Sequence, residues 1–424
     1  MNRTASSCLS IFAGGVLTVL AQPQAPSTDA NSFEEVPELK ASEILKPEYL
    51  KGSHYTVREN VATGSGVNQF VIDSDFGVFD ADGDAMLVRR EKEIYAIADL
   101  TEVSRTDQFK DSLANASKGT FNAAKKIVTD PGETLSNVPK GISKFMNKAS
   151  NSIKNIGKKK EDDGQQDSSA EKMTGVAKSK RKIAVSMGID PYSTNSVLQK
   201  QLEDVAWASW AGGFAFSAAT FPISGPVGAG LTVTNVSDSL NKAVAEKPPT
   251  DLKAMNRENL RKIGASGPDT ERLLNNTAFT LTDETALALN LKTLDGVASR
   301  GAFVRAAAEK SDTESDALFC VQTSALMGQI HTSGHPLAHI VMMEGLPVCV
   351  AKDGTLIIAL QWDYAAWTAR AAAFIDEVQK MANEPGHNKH ILVVISGQMS
   401  PRFKQELQSR GIATQDRMNP GPLQ

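Results

Sequence analysis

Cysteine is scarce in this chain, with three in 424 residues: Cys8, Cys320 and Cys349. That number excludes a disulfide-built scaffold, and neither a Cys-x-x-Cys pair nor a His-Glu-x-x-His helix motif supplies a zinc framework. Net charge is also small. A net of −4 and a pI near 6.0 argue against a general nucleic-acid binder. No internal repeat is visible, which excludes a solenoid or propeller built from copied units. What is present in quantity is apolar residue, 41% of the chain, enough for two or three domains with cores of their own.

The N-terminus carries one positive charge at Arg3, an uncharged apolar run from Leu9 to Leu20, then Val19-Leu20-Ala21 ahead of Gln22 and Pro23. This is the order of a secretory signal peptide with a small-x-small cleavage site, and the run is short of the ~20 apolar residues that span a bilayer. The expectation is a signal peptide over 1–21 and an exported, periplasmic or secreted, mature chain. Residues 22–48 read as a Pro/Gln/Ser-rich flexible tether. Cys8 would leave with the signal. Cys320 and Cys349 would then either pair in an oxidising compartment or stand as two separate buried thiols.

The fold class expected is α+β, in several domains. Residues 49–116 read as a small α/β unit: His54–Glu59 alternates, Gln69–Ile72 and Gly77–Phe79 are strand-like, and a helix follows from about Ala85. Residues 117–183 form a basic connector of largely disordered composition. Within it, Ser117–Lys160 holds ten lysines against Asp130 and Glu133, a net of +8, with apolar residues interspersed. Residues 184–300 read as helical, opening on a Ser196-x-x-Gln199 capping box, with further helices near Asp251–Ile263, Asp269–Leu274 and Asp283–Leu294, the last capped by Thr280 or Thr282. Val205–Ser237 carries no charged residue, and its two prolines and many small residues favour a buried helical hairpin over a membrane span. Residues 301–424 read as an α/β domain. Strands at His339–Met343, Pro347–Ala351 and Thr355–Leu360 are joined in part by an Asp353-Gly354 hairpin turn. A striped helix, the apolar strand Ile391–Ile395 and a helix capped by Ser400-Pro401 then complete a β-α-β unit.

Five of the six histidines fall in this last domain: His331, His335, His339, His387 and His390. Three imidazoles can hold an open zinc site, but Ser333-Gly334-His335-Pro336 is a loop signal, so the four-residue spacing need not put them on one face. Either they converge on a metal or they are isolated loop and core residues. Cys320 or Cys349 beside one of them would make a nucleophile, given proximity and a lowered thiol pKa. The run Ser396-Gly397-Gln398-Met399-Ser400 stands where open α/β sheets bind ligands. It lacks a Gly-rich fingerprint and a P-loop lysine, which favours ordinary capping.

Asp80, Asp82, Asp84 and Glu91 occupy the carboxylate positions of a twelve-residue loop that resembles the calcium-binding EF-hand motif. Ala85 stands where that loop needs glycine, and Arg89 and Arg90 add repulsion, so a turn and a charged helix start compete with calcium. In the basic stretch, Lys140, Lys144 and Lys148 are the candidates for contact with an anionic membrane surface, a wall polymer or a protein partner; nucleic acid is the less expected polyanion. The functional expectation is an exported, non-catalytic envelope or periplasmic interaction or structural protein. The alternative is a metal-assisted or Cys/His hydrolase centred on the last domain. The cofactor is left unknown by the sequence.

Overall fold

Strict alternation builds the first sheet. In the computed structural model, which describes residues 33–118, 166–216 and 237–424, β1 (Glu38–Lys40), β2 (Tyr55–Val57), β3 (Asn60–Gly64), β4 (Val67–Ser74) and β5 (Gly77–Asp82) pair antiparallel. β4 is central and turns Asn68, Phe70 and Ile72 inward while the residues between them stay more exposed. Ser65 and Gly66, both at positive φ, close the two-residue turn from β3 to β4. Two single-turn helices, α1 (Ala41–Ile44) and α2 (Pro47–Leu50), follow β1. The tether expected over 22–48 therefore gives way to folded chain by Glu38. The reason is apolar burial: Ala41 and Leu45 enter the core beneath the sheet, and the Ala41 N–H bonds to the Glu59 carbonyl at 2.8 Å.

Helix α3 (Asp84–Arg105) is 22 residues long, about 33 Å at the usual rise. Its first half lays Met86, Leu87 and Ile94 on the sheet. Its second half puts Ile97, Leu100 and Val103 into a separate helical core with α4 (Asp107–Lys118), α5 (Gln166–Ser186) and α6 (Ser196–Gly212). At the start of α6 the cap is Asn195 rather than Ser196, its side chain accepting from the Val197 and Leu198 N–H groups. Asn195 wins because it already faces α3, where its amide donates to Glu93 at 3.1 Å.

The central helices are α7 (Ser237–Glu246), α8 (Pro249–Lys262), α9 (Gly267–Leu274), α10 (Leu281–Thr293, capped by Thr280), α11 (Arg300–Lys310) and α12 (Glu314–Thr332). They do not close on themselves as a domain ending near residue 300. Their apolar faces share one core with the last sheet, from Leu240 through Leu291 and Met327 to Ile357 and Val394. That sheet has the order β12-β10-β8-β7-β6. β6 (Leu337–Met343), β7 (Leu346–Ala351) and β8 (Leu356–Leu360) form an antiparallel meander, with Gly354 at positive φ in the Asp353-Gly354 turn. The short strand β9 (Tyr364–Ala365) leads to α13 (Ala369–Ala382) and the parallel strand β10 (Ile391–Ile395). β11 (Gln398–Met399), α14 (Pro401–Ser409) and β12 (Ala413–Gln415) make the second parallel crossover.

All five residues of β8 and all five of β10 are buried. Ile357 and Ala359 face the central helices, while Leu356, Ile358 and Leu360 face α13 and α14 with Phe374, Val378 and Phe403. Burial on both faces explains the unbroken apolar runs, each large side chain contributing about 1.5–3 kcal/mol. The described residues from Glu34 to Gln424 form one compact unit of α+β architecture.

A buried ion network joins these parts. Arg89 on α3 forks onto Asp283 at 2.7 and 3.1 Å and reaches Glu314 at 3.0 Å. Arg90 bonds Glu93 and Glu314, both at 2.8 Å, and the Thr194 hydroxyl donates to Glu314 at 2.6 Å. Burial opposes ionisation of Glu314, yet Arg90 and Arg89 pull its carboxyl down to about 2. The two arginines that weighed against calcium thus hold α3, α10 and α12 together.

Candidate functional site

A cleft opens where the two sheets meet. Beyond β8 the chain leaves its apolar run as Gln361-Trp362-Asp363, at the carboxyl end of a parallel strand, the usual ligand edge of an open α/β sheet. Gly397, beyond β10, lies so close that a Cβ there would stand 1.9 Å from the Asp363 carbonyl oxygen. This contact locks the two loops together, Gly397 N–H to the Trp362 carbonyl at 2.6 Å and Gln398 N–H to that of Asp363 at 2.8 Å. From the first sheet, the Gly66 carbonyl accepts the Asp363 N–H at 2.8 Å, and Gly66 packs on the Trp362 indole.

The Asp363 side chain enters the N-terminus of α3. Its Oδ2 accepts the Asn68 N–H at 2.9 Å and the Asp84 N–H at 3.3 Å, where the helix dipole favours negative charge. Asp84 is buried beside it and accepts from the Asn68 amide at 3.3 Å. Burial raises both carboxyls, that of Asp84 to about 6, and the neighbouring Asp84 raises Asp363 further, well above the carboxylate range. Two such groups titrate as one pair.

In front of the pair lies a small cleft lined by Asp82, Gly83, Ser315, Gln322, Gln361 and Asp363 together with the apolar Val67, Ala85, Leu318 and Phe319. Gln361 is 8% exposed, and neither its Oε1 nor that of Gln322 has a hydrogen-bond partner. Burial, then Asp80 and Asp316, raise the Asp82 carboxyl. No lysine, arginine or histidine is among the residues lining the cleft. The arrangement offers acceptors to a donor-rich or cationic group; it presents no nucleophile held by a base.

The five histidines occupy separate settings. His331 ends α12 and accepts the Leu337 N–H on Nδ1 at 3.0 Å; His335 lies in the turn after Gly334, whose φ of +123° breaks the helix; His339 is on β6; His387 and His390 precede β10. Among the described residues no three His, Cys, Asp or Glu side chains group to hold a metal. The four-residue spacing crosses helix, turn and strand, so it marks no common face. The EF-hand-like segment is likewise no loop. Asp80 and Asp82 are exposed on β5, in register with Val71 and Gln69, whereas Asp84 and Glu91 are buried on α3.

Cys320 and Cys349 are both free thiols, on α12 and β7. Burial pushes each up to about 12, and Cys320 has Ser311 Oγ at 3.7 Å as its partner. At the Ser396–Ser400 run, Ser400 caps α14 by accepting the Phe403 N–H at 2.9 Å and donates to Glu34 at 2.6 Å, so the chain's own carboxylate lies there. Lys140, Lys144 and Lys148, the signal segment 1–21 and residues 217–236 lie outside the described residues. Among the described residues no helix is long and apolar enough to cross a membrane.

Sequence reasoning singled out Asp84 only as an EF-hand-like carboxylate, and Asp363 not at all. The available signal was a polar triplet closing an apolar strand. Comparison with protein-family models, curated proteins and solved structures gives no match, so the chemistry rests on these residues alone.

Proposed function

We propose that the chain is an exported, non-catalytic envelope or periplasmic interaction protein whose basic stretch, Ser117–Lys160, engages an anionic membrane surface, wall polymer or partner. The observation that carries the reading is how the stretch is flanked. Helix α4 before it and α5 after it both pack on α6. A Cβ on Gly212 would stand 2.1 Å from the Ser112 carbonyl oxygen, and one on Gly175 would stand 2.0 Å from the Trp210 indole nitrogen. Both flanks of a net +8 segment are therefore set on one helical platform, which lowers the closure cost of presenting it to a partner. The N-terminal charge, apolar run and cleavage pattern support export.

Vesicle flotation tests the contact. Binding should require anionic lipid and fall steeply with salt, and Lys140→Glu, Lys144→Glu and Lys148→Glu together should weaken it by ~100-fold or more, at about 1 kcal/mol per lysine near such a surface. Binding that ignores both lipid charge and these changes would refute the membrane form. N-terminal sequencing from the envelope should begin near Gln22; an intact Met1 would overturn export.

A further inference from the structure

We propose that Arg181 on α5 and Tyr192, in the loop before α6, form a binding site for a small oxyanion, a phosphate or a carboxylate. The first ground is a buried cation without a counter-ion. Arg181 is 6% exposed, its Nε has no hydrogen-bond partner, and among the described residues it enters no ion pair. Arg89 and Arg90, by contrast, are each held by two carboxylates. A guanidinium does not shed its proton and carries five donors, so burying one alone is strongly unfavourable, and an anion that accepts from it offsets that burial.

The second ground is another unmet donor beside it. The Tyr192 hydroxyl is buried and also without a partner. Burial raises its pKa to about 12 and the Arg181 charge acts against that rise, which sets the two groups near one another. They do not bond to each other, whereas an oxyanion, with lone pairs on several oxygens, can accept from both. The carboxylate whose field also reaches Tyr192 is Asp190, and it is engaged elsewhere. Its Oδ1 accepts the Tyr192 N–H at 2.9 Å and the Thr282 hydroxyl, and the arginine that acts on it is Arg89.

The third ground is placement. Val185, four residues beyond Arg181 and so on the same face of α5, packs with Tyr192 on the core of the central helices, while Ile183 and Ala184 enter the helical core with α3, α4 and α6. Arg181 therefore stands at the seam of two cores. The Tyr192 loop is fixed without help from a ligand: the Pro191 carbonyl accepts the Gln199 amide at 3.2 Å, and Ser193 and Asn195 both donate to Glu93. Lys178 and Lys182 lie exposed on α5 beside Arg181 and add to a positive field that draws an anion in. With so little of Arg181 open to solvent, the site takes a small free ion rather than a membrane surface or a polymer, so it stands apart from the contact proposed for the basic stretch.

Thermal unfolding of the folded chain in sodium phosphate, in sodium acetate and in sodium chloride of equal ionic strength tests the assignment. Phosphate or acetate should raise Tm saturably above the chloride value, by about 3 °C at a hundredfold excess over Kd, and the one that acts at the lower concentration names the ligand class. Arg181→Met should be at least as stable as the parent in chloride, because it removes an uncompensated charge, and should lose the response to the oxyanion. Tyr192→Phe should keep the fold and weaken binding by roughly tenfold. Lys262→Met, at an exposed position on α8, should respond as the parent does. The assignment is overturned if neither phosphate nor acetate moves the parent beyond chloride, if Arg181→Met gains as much from them as the parent, if Tyr192→Phe binds as tightly as the parent, or if Arg181→Met is the less stable protein in chloride.

Discussion

Glu91 offers the sharpest test of the energetics. It lies two turns into α3, fully buried, in a core that also holds Tyr55, Met86, Leu87 and Tyr95. Neither of its oxygens meets a donor at hydrogen-bond geometry; the Tyr55 hydroxyl donates to the Glu48 carbonyl at 2.8 Å and, lying nearby, lowers the Glu91 carboxyl only in part. Burial pushes the carboxyl up from 4.5 to about 9. The folded chain therefore keeps a proton there at neutral pH that the unfolded chain has released. Stability from this group is fully present below pH 4.5 and is lost as pH rises toward 9. At pH 7 the loss amounts to about 3 kcal/mol, from roughly 1.4 kcal/mol per pH unit. Glu91→Gln keeps the neutral shape and removes the titration. The variant should match the parent near pH 4 and exceed it by about 3 kcal/mol near pH 7, read by urea unfolding and by hydrogen exchange of the α3 amides. Parallel pH profiles, or a variant less stable than the parent at neutral pH, would refute the reasoning.

The ion network gives a prediction of opposite pH sense. The Glu314 carboxyl is held near 2, below its ordinary value of 4.5, so its contribution is present above pH 4.5 and is lost as pH falls through about 2. Glu314→Ala should destabilise by about 3–5 kcal/mol at neutral pH by leaving Arg89 and Arg90 short of a partner, a loss measurable by denaturant titration. The thiols provide a chemical check. Cys320 and Cys349, raised to about 12 by burial, should alkylate slowly with iodoacetamide in the native chain, and both should label at once in denaturant. A mass two hydrogen atoms lighter, with neither site labelled after unfolding, would mean that they pair by oxidation.

Much of the architecture was legible because its causes are local. Alternation placed the strands of the first sheet, the Asp353-Gly354 pair placed a hairpin, and Ser400-Pro401 placed the start of α14. The continuous apolar composition of Ile391–Ile395 announced burial on both faces, which α13, α14 and the central helices provide. Local cues failed where a distant partner decided the outcome. Asn195 displaced Ser196 as cap because Glu93 holds it, and the segment after Glu38 folded because β3 and the core beneath it received β1, α1 and α2. The histidine spacing marks no common face because Gly334, between His331 and His335, follows the end of the helix, as the Ser333–Pro336 loop signal implied.

The sequence alone therefore determined the α+β class, most elements and the lopsided charge of the basic stretch, since periodicity, turn chemistry and composition act within a few residues of chain. Only the tertiary structure decided the site. Asn68 and Asp363 meet across 295 residues, and the cleft takes its oxygens from β5, α12 and the loop after β8. No spacing along the chain encodes that meeting, because it follows from how a buried sheet, a long helix and an ion network settle against one another.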